Sequence, residues 1–391
     1  VKQSLASINV GSSSIKFALY EHPGLLLVLH GQIEFIGQSN PRLLFQKASQ
    51  RAQTISSIPA SNHQEAAVFL LDWLASQEEF QSLGAIGHRL VHGGKYDTPQ
   101  RIDRSLLTEL HALEHYAPNH LPEELALIER CLERYPMLDQ VACFDTSFHH
   151  TMPRVATLLP LPRHYLSMGL KRYGFHGLSY EYLLEELCLR SGPQTAQGKV
   201  ILAHLGNGAS MSALYQGKSR DTSMGFTPAS GLVMGSRTGD LDPGIIDFLV
   251  HKEHITTAAF THMVHHESGL LGISETSANM SDLFAIEATD IRAAEAIELF
   301  CYQAKKWIGA YATVLEGIET VVFSGGIGEN APVIRERICE GLEFLGIHLD
   351  RQANQNNAFL ISSHKSRVAV HVIPTNEELM IARSTCRILN L

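Results

Sequence analysis

The chain has 391 residues, 45% of them hydrophobic and 18% charged, enough for two or three domains with sizeable cores. A formal net charge of −9 with no Lys/Arg run excludes a general nucleic-acid or anionic-membrane partner. The six cysteines form no CxxC pair and read as reduced core residues, and neither a signal peptide nor a run of transmembrane length is visible, so the expected setting is the cytoplasm.

In chain order, Leu5–Val10 and Ile15–Tyr20 read as strands joined by the turn Gly11-Ser12-Ser13-Ser14, with Lys16 just beyond. Backbone N–H groups, hydroxyls and one cation can cradle a phosphate there, and an ordinary Ser-rich turn fits equally well. Residues 37–61 read as loops and short elements, and Asn62–Gln77 as an amphipathic helix. Leu83–Val91 is an expected strand, Ser105–His115 and Pro122–Arg134 are expected helices, and Gln140–Phe144 is a short strand running into Asp145. Ser179–Leu189 reads as a helix capped by Ser179.

Residues 201–215 repeat the opening pattern of strand, small-residue turn and strand. Gly206 precedes Ala213-Leu214-Tyr215 at the offset at which Gly11 precedes Ala18-Leu19-Tyr20. Two related lobes facing each other across a cleft are the simplest expectation. A Gly-rich loop at Gly225–Pro243 follows, with a helix from Gly244, a long helix at Ile291–Leu315 and a strand at Thr320–Phe323. A loop at Ser324–Asn330, a helix from near Pro332, a strand at Val368–Ile373 and a helix at Asn376–Leu391 complete the chain. The mixture is α/β with mixed sheets.

Polar residues at strand ends are the candidate chemistry. Arg89 can aim its fork at a carboxylate or phosphate, or make a surface salt bridge. Asp145 sits where ligands gather in open α/β sheets, or caps the next turn. His176, between glycines, is ligand-facing or packed. The loop Gly231–Pro243 combines glycines, acids and Arg237 in a way suited to developing negative charge. Ser324-Gly325-Gly326-Ile327-Gly328-Glu329-Asn330 suits a nucleotide but matches neither the Rossmann nor the P-loop fingerprint. Thr375 and Glu378 have capping-box spacing, which leaves Glu377 as the freer carboxylate, for a Mg²⁺ water or the helix dipole.

Taken together, Asn9–Lys16, His88–Gly94, Phe144–Pro153, Arg172–Gly177, His204–Ser210, Asp221–Pro228, Gly231–Pro243, Ser268–Ser274, Ser324–Asn330 and Thr375–Glu378 resemble the acetate kinase family, in family order along essentially the whole chain. The resemblance implies the two-lobed acetate and sugar kinase/Hsp70/actin fold. An N-terminal lobe, 1–149, would be completed by a helix at 379–391, and 150–378 would bind nucleotide and dimerise. It further implies reversible phosphoryl transfer from ATP to acetate, with Mg²⁺ (or Mn²⁺), in a homodimer. By match, Arg89 and Arg237 would hold the carboxylate and the transferring group, His176 and Arg237 would stabilise the transition state, and Asp145 would position the acceptor or a metal water. Val91, Asn119, His120, Phe175 and Pro228 would form the acyl pocket with Arg89. Asn9, Ser12, Ser14 and Lys16 would line the phosphate site, with Asn9 and Glu377 at the metal. His204, Gly206, Asn207, Gly208, Asn279, Gly326, Ile327, Gly328 and Asn330 would face the nucleotide.

The chain departs from the family at Asn119, where an apolar pocket residue is usual, and at Ser277-Ala278-Asn279-Met280-Ser281, where Ser281 replaces an Arg beside the adenosine. Ser230 stands for a Glu, and Leu178 and Tyr180 replace the residues usual after Phe-His-Gly. The alternatives are therefore a kinase for propionate or a polar short acid, a donor other than ATP, and, more distantly, a non-catalytic nucleotide-binding sensor of the same superfold.

Overall fold

A computed structural model describes residues 3–50 and 52–391. The described chain divides into two compact units. One runs up to Phe148 and takes in Asn376–Leu391, and the other is His149–Thr375.

The first unit is built on an eight-stranded mixed sheet of order β5-β4-β3-β2-β1-β6-β8-β7. Its strands are β1 (Gln3–Val10), β2 (Ile15–His22), β3 (Leu26–Glu34), β4 (Arg42–Lys47), β5 (Thr54–Ser57), β6 (Leu83–Leu90), β7 (Gln100–Arg101) and β8 (Asp139–Phe144). The hairpin β1–β2 is antiparallel, whereas β1, β6 and β8 run parallel. Asn9 pairs with Arg89, and Leu90 with Phe144, so Asn9, Arg89 and Asp145 emerge together at the carboxyl ends of three adjacent strands. The helix His63–Ala75, capped by Asn62 on the Glu65 N–H, buries Leu70 and Leu74 against Ile8, Ile15 and Phe17. The helix Glu377–Leu389 packs on β1, β6 and β8, with Ala382 against Ala18 and Tyr20. Gly87 permits that approach, because a Cβ there would lie 2.3 Å from Thr385 Oγ1.

The segment 37–61, expected as loops and short elements, supplies the short strands β4 and β5, which join the sheet through β3, a strand that hydropathy does not mark. The solvent-facing residues of β3 and the fully exposed β5 hide the strand period.

The second unit holds a five-stranded sheet, β11-β10-β9-β12-β13, formed by β9 (Val200–Leu205), β10 (Ala209–Tyr215), β11 (Lys218–Thr222), β12 (Thr320–Ser324) and β13 (Ala369–Val372). The strands β9, β10 and β11 are antiparallel neighbours, and β12 and β13 add in parallel beside β9. This is the pattern of β3-β2-β1-β6-β8, so the fold carries its core twice. The long helix Ile291–Val314 buries Ala293, Ile297, Phe300, Ala304 and Ile308.

Three local expectations are corrected. Ser179 is not a cap: the helix begins at Gly177 after His176, and the Ser179 hydroxyl bonds His204 and Thr375. Residues Gly325–Asn330 form a short helix rather than a loop. Asn376, not Thr375, caps the last helix by accepting from the Leu379 N–H at 2.9 Å, so the Thr375/Glu378 box does not form.

Candidate active site

In the first unit, Arg89 is fixed from three sides. Its Nε and Nη2 donate to Asp145 Oδ2 at 3.1 and 2.6 Å, and its Nη1 donates to Glu124 Oε1 at 3.3 Å and to the Val10 carbonyl at 3.1 Å. Burial opposes the guanidinium charge, but Asp145 and then Glu124 more than offset it, so Arg89 is held protonated. Glu124 accepts the Val91 N–H at 2.9 Å with its other oxygen. Burial nevertheless pushes the Glu124 carboxyl up to about 7, against the pull of Arg89. Of the two readings the sequence offers for Arg89, the salt bridge is the one made, and the fork is largely committed to Asp145. What Arg89 presents is a charge in a fixed place.

Asn9, at the end of β1, donates to Glu377 Oε2 at 3.0 Å and approaches Glu378 Oε1 at 3.5 Å. Burial raises the Glu378 pKa, and Lys16 opposes it. The serine turn is closed by Gly11 N–H donating to the Ser14 carbonyl at 2.7 Å, and His63 Nε2 donates to the Gly11 carbonyl at 2.9 Å. Ser12 and Lys16 are exposed and Ser14 is half-buried. Val91 is buried, and His120 sits at the N-cap position of the helix Leu121–Arg134. Asn119 is exposed.

In the second unit, the β9–β10 turn brings His176, Arg237 and Asn207-Gly208 together. A Cβ on Gly208 would stand 3.4 Å from His176 Nε2 and 3.8 Å from Arg237 Nη1. Arg237 Nη1 donates to the Pro228 carbonyl at 3.1 Å. Phe175 is buried, and its carbonyl accepts from His149 Nε2 at 3.1 Å. The His176 ring lies 4.3 Å from that of His204, whose Nδ1 meets Ser179 Oγ at 2.8 Å. Gly235 is a glycine for a visible reason: a Cβ would fall 1.8 Å from Asn207 Oδ1.

Beside this group lies a cavity of about 440 Å³. Gly206, Asn207, Asn279, Gly326, Ile327 and Asn330 line it, as do Ser281 and Phe284, and none of its lining side chains is charged. Gly208, Gly328 and His204 are not among the lining residues. Gly328 packs instead, with a built Cβ 3.4 Å from Phe323 and 3.6 Å from Leu205. Asp282 holds the rim, accepting from Ser277 Oγ at 2.7 Å and Asn279 Nδ2 at 3.1 Å. Ser230, in place of the usual Glu, accepts the Gly225 N–H at 2.8 Å.

Sequence reasoning missed Glu124, although its position carries a signal. It stands on the same helical face as Leu121, Leu125 and Ile128, all buried, and an acid on an apolar stripe needs a partner. Asp282 gave no comparable signal.

The model of the acetokinase family matches residues 5–383. The chain belongs to the acetokinase family. It is 42% identical to an acetate kinase of Methylocella silvestris over 402 residues, 100% of this chain and 99% of that one. Among solved structures it is similar to an acetate kinase of Porphyromonas gingivalis (34% identity, TM-score 0.89, 99% of this chain and 100% of that one). It is also similar to a propionate kinase of Francisella tularensis (35% identity, TM-score 0.91, 98% of each chain). This acetokinase-family chain is a phosphotransferase with a carboxyl group as acceptor, on the acetate and sugar kinase fold.

Proposed function

We propose that the chain transfers the γ-phosphoryl group of ATP reversibly to acetate, giving acetyl phosphate and ADP. The supporting observation is the approach of His176 Nε2 and Arg237 Nη1 to Gly208, next to an uncharged cavity edged by glycine turns. A carboxylate oxygen attacks the γ-phosphorus, one P–O bond forms, and the P–O bond to the ADP leaving group breaks. No proton moves, so no strong base is needed. The obstacle is the approach of two anions. In this reading Arg237 and His176 donate to the equatorial oxygens of the transferring group. Arg89, fixed by Asp145 and Glu124, supplies positive potential to the carboxylate, while Val91, Phe175, Pro228 and His120 limit the acyl chain. The uncharged cavity takes the base and ribose, and Ser12, Ser14 and Lys16 serve the phosphates.

Mg²⁺ fits the donors present. Glu377 and the Asn9 amide offer hard oxygens beside Glu378, and Mg²⁺ is commonly held by one or two carboxylates plus phosphate oxygens and waters. Bound there, the ion would neutralise phosphate charge, and Mn²⁺ would take the same donors. Assignment of the second unit to nucleotide binding and dimerisation, a homodimer and a cytoplasmic setting rest on family likeness. No helix of the described residues is long and apolar enough to cross a membrane.

The test is turnover of ATP–Mg²⁺ with acetate, trapping product as the hydroxamate. Acetyl hydroxamate at a rate well above that with propionate is expected. Preference for propionate would favour a second reading, supported by the similarity to a propionate kinase. ATP binding without turnover on any short carboxylate would overturn both.

A further inference from the structure

His176 adopts a left-handed backbone, φ 61° and ψ 24°, immediately before the helix Gly177–Ser191. Its carbonyl accepts the Tyr180 N–H at 3.0 Å, so Tyr180 stands one turn along on the same face. Tyr180 and Ser210 are both fully buried. The Tyr180 hydroxyl is hydrogen-bonded to Ser210 Oγ, and Ser210 Oγ lies 2.8 Å from His176 Nδ1. The His149 ring packs edge-on against the Tyr180 ring at 5.7 Å.

In the direction that suits a phosphoryl ligand, the Tyr180 hydroxyl donates to Ser210 Oγ and the Ser210 proton points to His176 Nδ1. A neutral imidazole that accepts at Nδ1 carries its proton on Nε2. Nε2 is the nitrogen on the side of Gly208 and Arg237.

We infer that Tyr180 and Ser210 are positioning residues that hold His176 in the Nε2–H tautomer, so that it donates to the transferring phosphoryl group. The inference rests on the role proposed above for His176. Two chemical facts favour this tautomer. Phosphoryl oxygens only accept. A bare Nε2 would accept rather than donate, whereas Nε2–H lets His176 and Arg237 donate to the same oxygens. Tyr180 is one of the departures from the family after Phe-His-Gly, whereas His176 and Ser210 lie in stretches that match it.

The test uses the full chain with ¹⁵N-labelled histidine. His176 is assigned by the signals lost in His176→Ala. In the wild type above pH 8, His176 is expected to show a bare Nδ1 and a protonated Nε2. In Tyr180→Phe, which keeps the ring and its packing, a mixture of tautomers is expected. Its kcat should fall about tenfold, with KM for ATP and for acetate changed less than about twofold, since the lost donor acts in the transition state. Ser210→Ala should move the same two readouts the same way. A protonated Nδ1 in the wild type overturns the inference without any variant. So does a Tyr180→Phe enzyme with unaltered tautomer and kcat. An unchanged kcat in His176→Ala would instead overturn the proposed role of His176, and the wild-type spectrum would separate that failure from a failure of the relay.

Discussion

Glu124 joins Arg89 to the backbone of Val91. One carboxylate oxygen sits 3.3 Å from the Arg89 guanidinium and the other accepts the Val91 N–H at 2.9 Å. A buried acid thus sets both the charge and the main chain where the carboxylate substrate is proposed to bind. Glu124→Ala removes a partner from a buried pair and orphans an N–H, so a loss of about 3 kcal/mol is expected. Urea unfolding measures it. A loss of only a few tenths would show that Asp145 alone suffices to hold Arg89.

Arg237→Ala is expected to lower kcat on the order of 100-fold or more while barely changing the affinity for ADP. Arg237 approaches Gly208 and the Pro228 carbonyl, and it is not among the residues lining the cavity. Steady-state rates with calorimetric titration of ADP separate the two effects. An unchanged kcat would take Arg237 out of the mechanism.

Gly235→Ala would force the Asn207 side chain out of its place, because the added Cβ would fall 1.8 Å from Asn207 Oδ1. Asn207 lines the cavity, so KM for ATP should rise on the order of tenfold from the misplacement. The KM for acetate should move less. Equal changes in both would mean that the whole loop had shifted.

His88 is buried and neutral, with Nε2 on Gln140 Oε1 at 2.7 Å, and burial lowers its pKa from 6.5 to about 4. Unfolded, it protonates near 6.5, so its stabilising effect is complete above that pH and is lost progressively as pH falls to about 4. Glu124, raised to about 7, acts in the opposite sense over much of the same window, so the informative quantity is a difference. In His88→Asn, the slope of unfolding free energy against pH between 6.5 and about 4 should be smaller by one proton, about 1.4 kcal/mol per pH unit. Parallel slopes would show that His88 titrates normally in the folded chain.

What could be read from the sequence was what local pattern controls. The two hairpins announce themselves by apolar strands around small-residue turns, and the structure repeats the same strand order around each. Asp145 could be placed at a strand end because it follows the apolar run Val141–Phe144, whereas Asn9 came only from the family resemblance. The relay through Tyr180 could not be read, since Ser210 approaches from a strand 30 residues away. The caps were misjudged where two capable residues adjoin: Thr375 and Asn376 both can cap, and only the geometry of the chain entering the helix selects Asn376. The edge strand β5 was not placed individually because its four residues are open to water, which leaves its pattern without contrast.

The helix Glu377–Leu389 covers β1, β6 and β8, yet it follows the whole second unit in the chain. On the ribosome the first unit's sheet therefore waits with one face uncovered while the second unit is made. Glu377 also meets Asn9 only when that helix docks. A nascent or prematurely terminated chain would hold Arg89 and Asp145 in register and still lack the carboxylate beside Asn9. The carboxylate beside Asn9 thus arrives only after the whole second unit has been made.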